Sequence, residues 1–159
     1  MIKKKLSIIV PVYNEEKTII KALKRIEETK DERVEYEIIV INDGSIDSTL
    51  ELLKSNFNLY QHLIDSKQNF GKGHAVKRGL EISTGDYIIF QDGDLEYDPA
   101  DFSKFINIIE KFEADVIIGS RFNYTDYSRS NNILNKIGNH MLTFVFNILY
   151  NTAFTDIYC

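Results

Sequence analysis

A chain of 159 residues, 43 % of them apolar, is long enough to bury the core of one domain and too apolar to stay disordered. Its 24 acidic and 19 basic residues give a formal charge of −5, which excludes a general nucleic-acid-binding surface but not a charged nucleotide held by local bases or a metal. The lone cysteine, Cys159, excludes a disulfide within these residues and a cysteine-based zinc site, as expected in a reducing compartment. Lys3, Lys4 and Lys5 precede only five residues of apolar tendency before Pro11, too few for a secretory leader, and no uninterrupted apolar run reaches the roughly 18 residues of a spanning helix.

Leu6-Ser7-Ile8-Ile9-Val10 is nearly continuous in apolar residues and reads as a parallel strand covered on both faces, ended by Pro11. Asn14-Glu15-Glu16 opens a helix with its acids near the positive end of the dipole, and Ile19, Ile20, Leu23 and Ile26 form its buried stripe. Glu37-Ile38-Ile39-Val40-Ile41 is a second strand, left through the turn Asn42-Asp43-Gly44-Ser45, with Asp47 or Ser48 capping the next helix. Residues 58–63 are a weaker strand candidate. Gly71-Lys72-Gly73 opens a helix with Ala75, Val76, Gly79 and Leu80 on one face, and Gly85 stands where a C-terminal cap is expected. Asp86-Tyr87-Ile88-Ile89-Phe90-Gln91 then reads as a buried strand that reaches the surface at Asp92-Gly93-Asp94.

Asp98-Pro99-Ala100-Asp101 combines a capping aspartate with proline at the first helical position, and Phe102, Phe105, Ile106 and Ile109 form the stripe that follows. Asp115-Val116-Ile117-Ile118-Gly119 is a further short strand. Helix-length connections between strands predict a three-layer α/β/α fold with a mostly parallel sheet. Residues 122–132 are polar, and residues 133–150 are helical again. Residues 141–150 carry no charge, which marks either a core or subunit-contact helix or one lying on a membrane surface.

Ligands collect at the carboxyl ends of strands in such sheets. That edge receives Tyr13, Asn14 and Glu15 after the first strand, Asp43 after the second, Asp92 and Asp94 after the fourth, and Arg121 after the fifth. Asp92 and Asp94 suit a hard cation, Mg²⁺ or Mn²⁺, that keeps water or substrate phosphate as further ligands; alone, they read first as a solvated turn, and the other strand-end polar residues favour the cation. Asp43 either accepts from a base N–H or ribose hydroxyl or caps its own turn. Glu15 either binds a ribose or favours a helix N-terminus. Gly71-Lys72-Gly73-His74 has the backbone freedom, helix start and cation of an anion cradle, but neither P-loop nor dinucleotide-binding spacing. Arg121 either neutralises a diphosphate, receives an anionic acceptor or forms a surface salt bridge. Paired carboxylates such as Asp92 and Glu96 leave hydrolase chemistry open.

Five segments, in this order, resemble family 2 glycosyltransferases of the GT-A fold, most closely the polyprenyl-phosphate (dolichyl-phosphate) hexose transferases. They are Ser7-Ile8-Ile9-Val10-Pro11-Val12-Tyr13-Asn14-Glu15-Glu16, Glu37-Ile38-Ile39-Val40-Ile41-Asn42-Asp43-Gly44-Ser45, Asn69-Phe70-Gly71-Lys72-Gly73-His74-Ala75, the stretch from Gly85 through Asp92-Gly93-Asp94 to Pro99, and Ala114-Asp115-Val116-Ile117-Ile118-Gly119-Ser120-Arg121-Phe122. The resemblance implies a Rossmann-like nucleotide-diphospho-sugar transferase. Pro11, Val12, Tyr13 and Glu15 would line the nucleoside pocket, with Asp43 reading the base. Asp92 and Asp94 would match the family's D-x-D and bind Mg²⁺ or Mn²⁺, with Gln91 beside them and Gly93 where relatives usually have alanine. Lys72 would meet the donor, and Arg121 the phosphates or acceptor.

The implied reaction is inverting hexose transfer from UDP- or GDP-hexose to a lipid-phosphate or glycan acceptor, with Asp92, Asp94 and Arg121 as its catalytic residues. The implied organisation is a donor-binding part over residues 1–122 and the start of an acceptor- and membrane-facing part over 123–159. Residues 133–150 would give peripheral membrane contact on the cytoplasmic side. Thr155-Asp156-Ile157-Tyr158-Cys159 resembles the start of a further family segment, so the catalytic domain is expected to be incomplete at its C-terminus. Two rivals share part of this pattern: a nucleotidyltransferase, which would want a basic glycine-rich loop where Pro11-Val12-Tyr13-Asn14 stands, and a non-catalytic nucleotide-sugar-binding module.

Overall fold

The computed structural model describes residues 3–111, 116–117 and 133–154. Two compact units divide the chain, Met1–Glu110 and Lys111–Cys159. In the first, the order is β1 (Lys4–Val12), α1 (Ile19–Glu28), β2 (Val34–Asn42), α2 (Thr49–Ser55), β3 (His62–Asp65), α3 (Lys72–Ile82) and β4 (Tyr87–Phe90), ending in α4 (Phe102–Lys111). Short 3-10 turns at Phe57–Leu59 and Pro99–Asp101 precede β3 and α4.

The strands form one parallel sheet in the order β3-β2-β1-β4. The chain steps outward from β1 to β3, then crosses back to place β4 on the other side of β1. All residues from Ile8 to Val10 and from Ile38 to Ile41 are fully buried, which explains why their sequence is apolar without alternation. On one face, Leu6, Ile8, Val10, Ile38 and Val40 pack against Ile19, Leu23 and Ile26 of α1, Leu53 of α2, and Phe102 and Ile106 of α4. On the other, Ile9, Ile39 and Ile41 pack against Ala75 of α3. A side chain at Gly79 would come within 2.7 Å of Ile9 and 2.9 Å of Ile41, so the missing Cβ lets α3 lie close to the sheet.

Several boundaries differ from expectation for physical reasons. Pro11 does not end β1, which runs on to Val12. The Ile9 carbonyl accepts from Gln91 and the Val12 carbonyl from Asp43, so Pro11 turns its missing N–H toward the β4 side. There β4 has already ended opposite Ile9, and no ladder bond is lost. Helix α1 begins at Ile19 rather than at Asn14. Asn14 is in the left-handed region (φ 56°), and the Glu15 carbonyl accepts from both Thr18 and Ile19 in a separate turn. The weak third strand starts at His62, because Gln61 first bridges to Ile38 through its backbone N–H and its side-chain oxygen. Leu80 is exposed, leaving Ala75 and Gly79 as the buried stripe of α3.

Gly85 does not cap α3, whose cap residue is Ser83. Its Cβ would meet Ser7 Oγ at 2.5 Å, and its N–H donates to that oxygen at 2.9 Å. Ser7 in turn donates to Glu37 at 2.5 Å. The expected Asp98 cap is present, accepting from the Ala100 N–H at 3.0 Å.

In the second unit, α5 spans Ile133–Tyr150. Asn151, with φ 51°, stops it in the left-handed conformation common after helix ends. Asn147 then secures the exit by accepting from Thr152 Oγ1 and the Phe154 N–H and donating to the Phe154 carbonyl. Of the expected fifth strand only Val116 and Ile117 are described, without regular secondary structure. Arg121, residues 122–132 and residues 155–159 lie outside the described residues.

Candidate active site at the carboxyl edge of the sheet

A cavity of about 310 Å³ opens where β1, β2 and β4 end. Pro11, Val12, Tyr13, Glu15, Asp43, Lys72, Asp92, Gly93 and Asp94 line it, joined by Asn69 and Ala75. Parallel strands bring their carboxyl ends to one edge, so residues far apart in sequence meet there.

The loops after β1 and β2 are laced together. The Asn14 N–H donates to Ser45 Oγ at 3.0 Å, and Asn14 Oδ1 accepts from the Ile46 N–H at 2.9 Å. The Glu15 N–H donates to Thr49 Oγ1 at 2.8 Å, and the Glu16 N–H to Asp47 at 3.2 Å. Burial pushes the Asp47 carboxyl up, but bonds from Thr49 and Glu16 outweigh it and hold it below the usual carboxylate range. The Glu15 carboxylate accepts from Thr18 Oγ1.

Asp43 is almost wholly buried and accepts from the N–H groups of Phe70 (3.1 and 3.2 Å) and Gly71 (2.7 Å). Asn69 Oδ1 also accepts from Gly71 at 2.8 Å. Its role is signalled by the Asn-x-Gly spacing of a side-chain-stabilised turn, which the strand-end argument passes over. Gly71, at φ 91°, is the residue before α3; its carbonyl accepts from the N–H groups of His74 (3.0 Å) and Ala75 (3.1 Å), which leaves those of Lys72 and Gly73 as the first-turn donors without an intrahelical acceptor. Lys72, the first residue of α3, places its ammonium 2.6 and 2.7 Å from the two Asp92 oxygens. Asp94 is exposed and accepts from the Glu96 N–H at 2.9 Å.

Gln91 is buried but turned away from the cavity wall. Its amide donates to the carbonyls of Asp92 and Tyr97, each at 3.2 Å, and so holds the turn carrying the two aspartates. Glu96 is not among the residues lining the cavity. His74 is exposed and stacks on Phe70, ring centres 4.7 Å apart.

Among the described residues, the cavity wall carries four carboxylates, Glu15, Asp43, Asp92 and Asp94, against the single ammonium of Lys72. A diphosphate entering it needs added positive charge. Asp92 and Asp94 fit a hard divalent cation by chemistry, and the ammonium already seated on Asp92 marks a position of cation affinity. No three His, Cys, Asp or Glu side chains form a ready-made cage among the described residues, so a cation there would need water or substrate oxygens as well.

A family model described as glycosyl transferase family 2 matches residues 7–156. The chain belongs to that family. Its fold is that of the GT-A nucleotide-sugar transferases. Among its relatives, the dolichyl-phosphate beta-glucosyltransferase of Dictyostelium discoideum is 39 % identical over 134 residues, 76 % of this chain and 41 % of that one. The dodecaprenyl-phosphate galacturonate synthase of Rhizobium johnstonii is 31 % identical over 128 residues, 76 % of this chain and 37 % of that one. The solved structure of glucosyl-3-phosphoglycerate synthase from Mycobacterium tuberculosis, in complex with Mn²⁺, UDP and glucosyl-3-phosphoglycerate, matches with a TM-score of 0.57 and 26 % identity, over 69 % of this chain and 41 % of that one. This family 2 chain thus spans less than half the length of these relatives.

Proposed function

We propose that this chain carries the donor site of a metal-dependent, inverting hexosyltransferase that uses a nucleotide-sugar and delivers the sugar to a polyprenyl phosphate. The observation that carries the reading is the convergence of Asp92, Asp94, Lys72 and the start of α3 on one cavity with Tyr13, Glu15 and Asp43. The nucleoside end of the donor lies against Pro11, Val12 and Tyr13, and its diphosphate faces Lys72 and the first turn of α3. Asp92 and Asp94 hold Mg²⁺ or Mn²⁺, which when bound stabilises the charge growing on the departing nucleoside diphosphate. The acceptor oxygen attacks the anomeric carbon from the opposite side, giving inversion. A lipid phosphate is already anionic and needs no general base, whereas a sugar hydroxyl would need one.

Two findings support the lipid-phosphate acceptor. The relatives from Dictyostelium and Rhizobium are named for polyprenyl-phosphate sugar chemistry. In addition, α5 exposes Met141, Phe144, Ile148 and Leu149, an apolar face suited to peripheral contact with a membrane. No described helix is long and apolar enough to cross a membrane. Residues 1–122 then serve donor binding and residues 123–159 the acceptor, with Arg121 proposed to meet the phosphates or acceptor.

Calorimetric titration of the chain with UDP and GDP, with and without Mn²⁺, tests the proposal. Binding of one nucleotide that requires Mn²⁺ and disappears in Asp94→Ala is the expected result. A folded chain that binds neither would overturn the donor site.

A further inference from the structure

Lys72 and Asp92 share more than a surface ion pair. One ammonium faces both oxygens of one carboxylate, at 2.6 and 2.7 Å, and therefore covers the atoms that a divalent cation would need. The lysine side chain is 63 % exposed while that of Asp92 is 21 % exposed, so the flexible partner can leave and the rigid one stays. The root of the lysine is fixed, because Asp43 and Asn69 both hold the N–H of the preceding Gly71. Its head can swing on a four-carbon stem between Asp92 and the space in front of the first turn of α3.

From this geometry we infer that Lys72 is an exchangeable counter-ion: it occupies Asp92 until a divalent cation arrives with a diphosphate, then moves onto the diphosphate. The inference rests on the donor-site reading above and assigns its charge balance. A cation arriving alone displaces the ammonium from Asp92 and offers it no new partner. A cation arriving with a diphosphate brings that partner along. The two ligands therefore bind cooperatively, and part of their coupling resides in one side chain. A lysine that merely binds phosphate would strengthen the diphosphate and leave the free cation unaffected.

The test compares the parent chain with Lys72→Met, using Mn²⁺ alone and preformed Mn²⁺–pyrophosphate as probes. Bound Mn²⁺ is followed by loss of the free-ion electron paramagnetic resonance signal, and the pyrophosphate complex by calorimetry. The two affinities should move in opposite directions. Mn²⁺ alone should bind roughly threefold more tightly to Lys72→Met, the scale of one exposed ion pair removed. Mn²⁺–pyrophosphate should bind roughly tenfold more weakly, the scale of one charge-assisted bond to phosphate. Lys72→Arg should restore most of the pyrophosphate affinity, and Lys77→Met, elsewhere on α3, should leave Mn²⁺ binding within about twofold of the parent.

Unchanged or weaker Mn²⁺ binding by Lys72→Met overturns the exchange, as does equal tightening in Lys77→Met. If the parent binds Mn²⁺–pyrophosphate in either case, the donor site stands and only the exchange falls. A parent that binds no Mn²⁺–pyrophosphate overturns both.

Discussion

The carboxylate of Asp43, at the end of β2, holds the N–H of Gly71, the residue that opens α3, at 2.7 Å. With the Phe70 N–H also engaged, this one side chain ties the second strand to the loop that presents Lys72. Asp43→Ala leaves the Phe70 N–H without its acceptor and the Gly71 N–H with Asn69 Oδ1 alone, and should cost about 1–3 kcal/mol in urea denaturation. Asp43→Asn, which keeps one acceptor oxygen, should cost less. Because the clamp acts on the loop, Asp43→Ala should also weaken calorimetric binding of Mn²⁺–pyrophosphate, a probe with no base to read. A variant that lost nucleotide affinity while keeping that of pyrophosphate would show a role confined to the base.

Glu37 is buried on the α3 side of the sheet and accepts from Ser7 Oγ (2.5 Å), Thr84 N–H (2.8 Å) and Thr84 Oγ1 (2.5 Å), with Lys5 3.5 Å away. Burial pushes its carboxyl up, but the bonds from Ser7 and Thr84 and the Lys5 charge outweigh it and bring the pKa to about 2 from an ordinary 4.5. The unfolded chain therefore takes up this proton first as the pH falls. The stabilisation is full above about 4.5 and is lost as the pH falls toward 2. Its size is on the order of 3 kcal/mol. Urea midpoints measured from about pH 6 to pH 3 should fall less steeply in Glu37→Gln than in the parent. Equal slopes would remove Glu37 from the account of acid stability.

Gly44 follows Asp43 with φ 70°, and a Cβ there would lie 2.3–2.7 Å from the backbone of Gln68 and Asn69. The clamp on the 69–71 loop therefore requires glycine next to it. Gly44→Ala should destabilise by about 2–4 kcal/mol, combining left-handed strain with a backbone clash. Gly73, in the first turn of α3, has open space around its missing Cβ. Gly73→Ala should raise the melting temperature, with up to about 1 kcal/mol from helix propensity. Thermal denaturation of both variants checks the contrast, and similar losses would mean that Gly73 is constrained by something other than local packing.

Gly93 separates the two aspartates. A Cβ there would approach Val12 Cγ1 at 2.9 Å and Ile19 Cδ1 at 3.4 Å, both of them side-chain termini rather than backbone. Because Val12 is buried and stiff at χ1, Gly93→Ala should still fold but lose about 1–3 kcal/mol, and should keep Mn²⁺-dependent nucleotide binding. A larger loss by urea denaturation would show that Val12 cannot yield, linking the floor of the cavity to the end of β1.

What the sequence determined by itself was local. The unbroken apolar runs Ile8-Ile9-Val10 and Ile38-Ile39-Val40-Ile41 specify buried parallel strands, Asp98-Pro99 specifies a helix start, and the span of α5 follows from its composition. These rest on forces that act between near neighbours: periodic burial, capping and backbone preference. Asp92, Asp94, Asp43 and Glu15 were legible as strand-end residues, because a parallel sheet sends such residues to one edge.

Tertiary structure decided the rest. Asn14 looks like a helix start, yet its backbone and side chain are taken by Ser45 and Ile46, more than thirty residues away, and α1 begins later. Asp43 looks like a turn cap or a base reader, yet its oxygens face N–H groups 27 and 28 residues on. Gly85 looks like a helix cap but is glycine because Ser7 lies against it. Lys72 finds Asp92 only once α3 and β4 have packed on β1. A buried polar group must find a partner, and that partner is chosen by which segments the folded core brings together, which spacing along the chain does not encode.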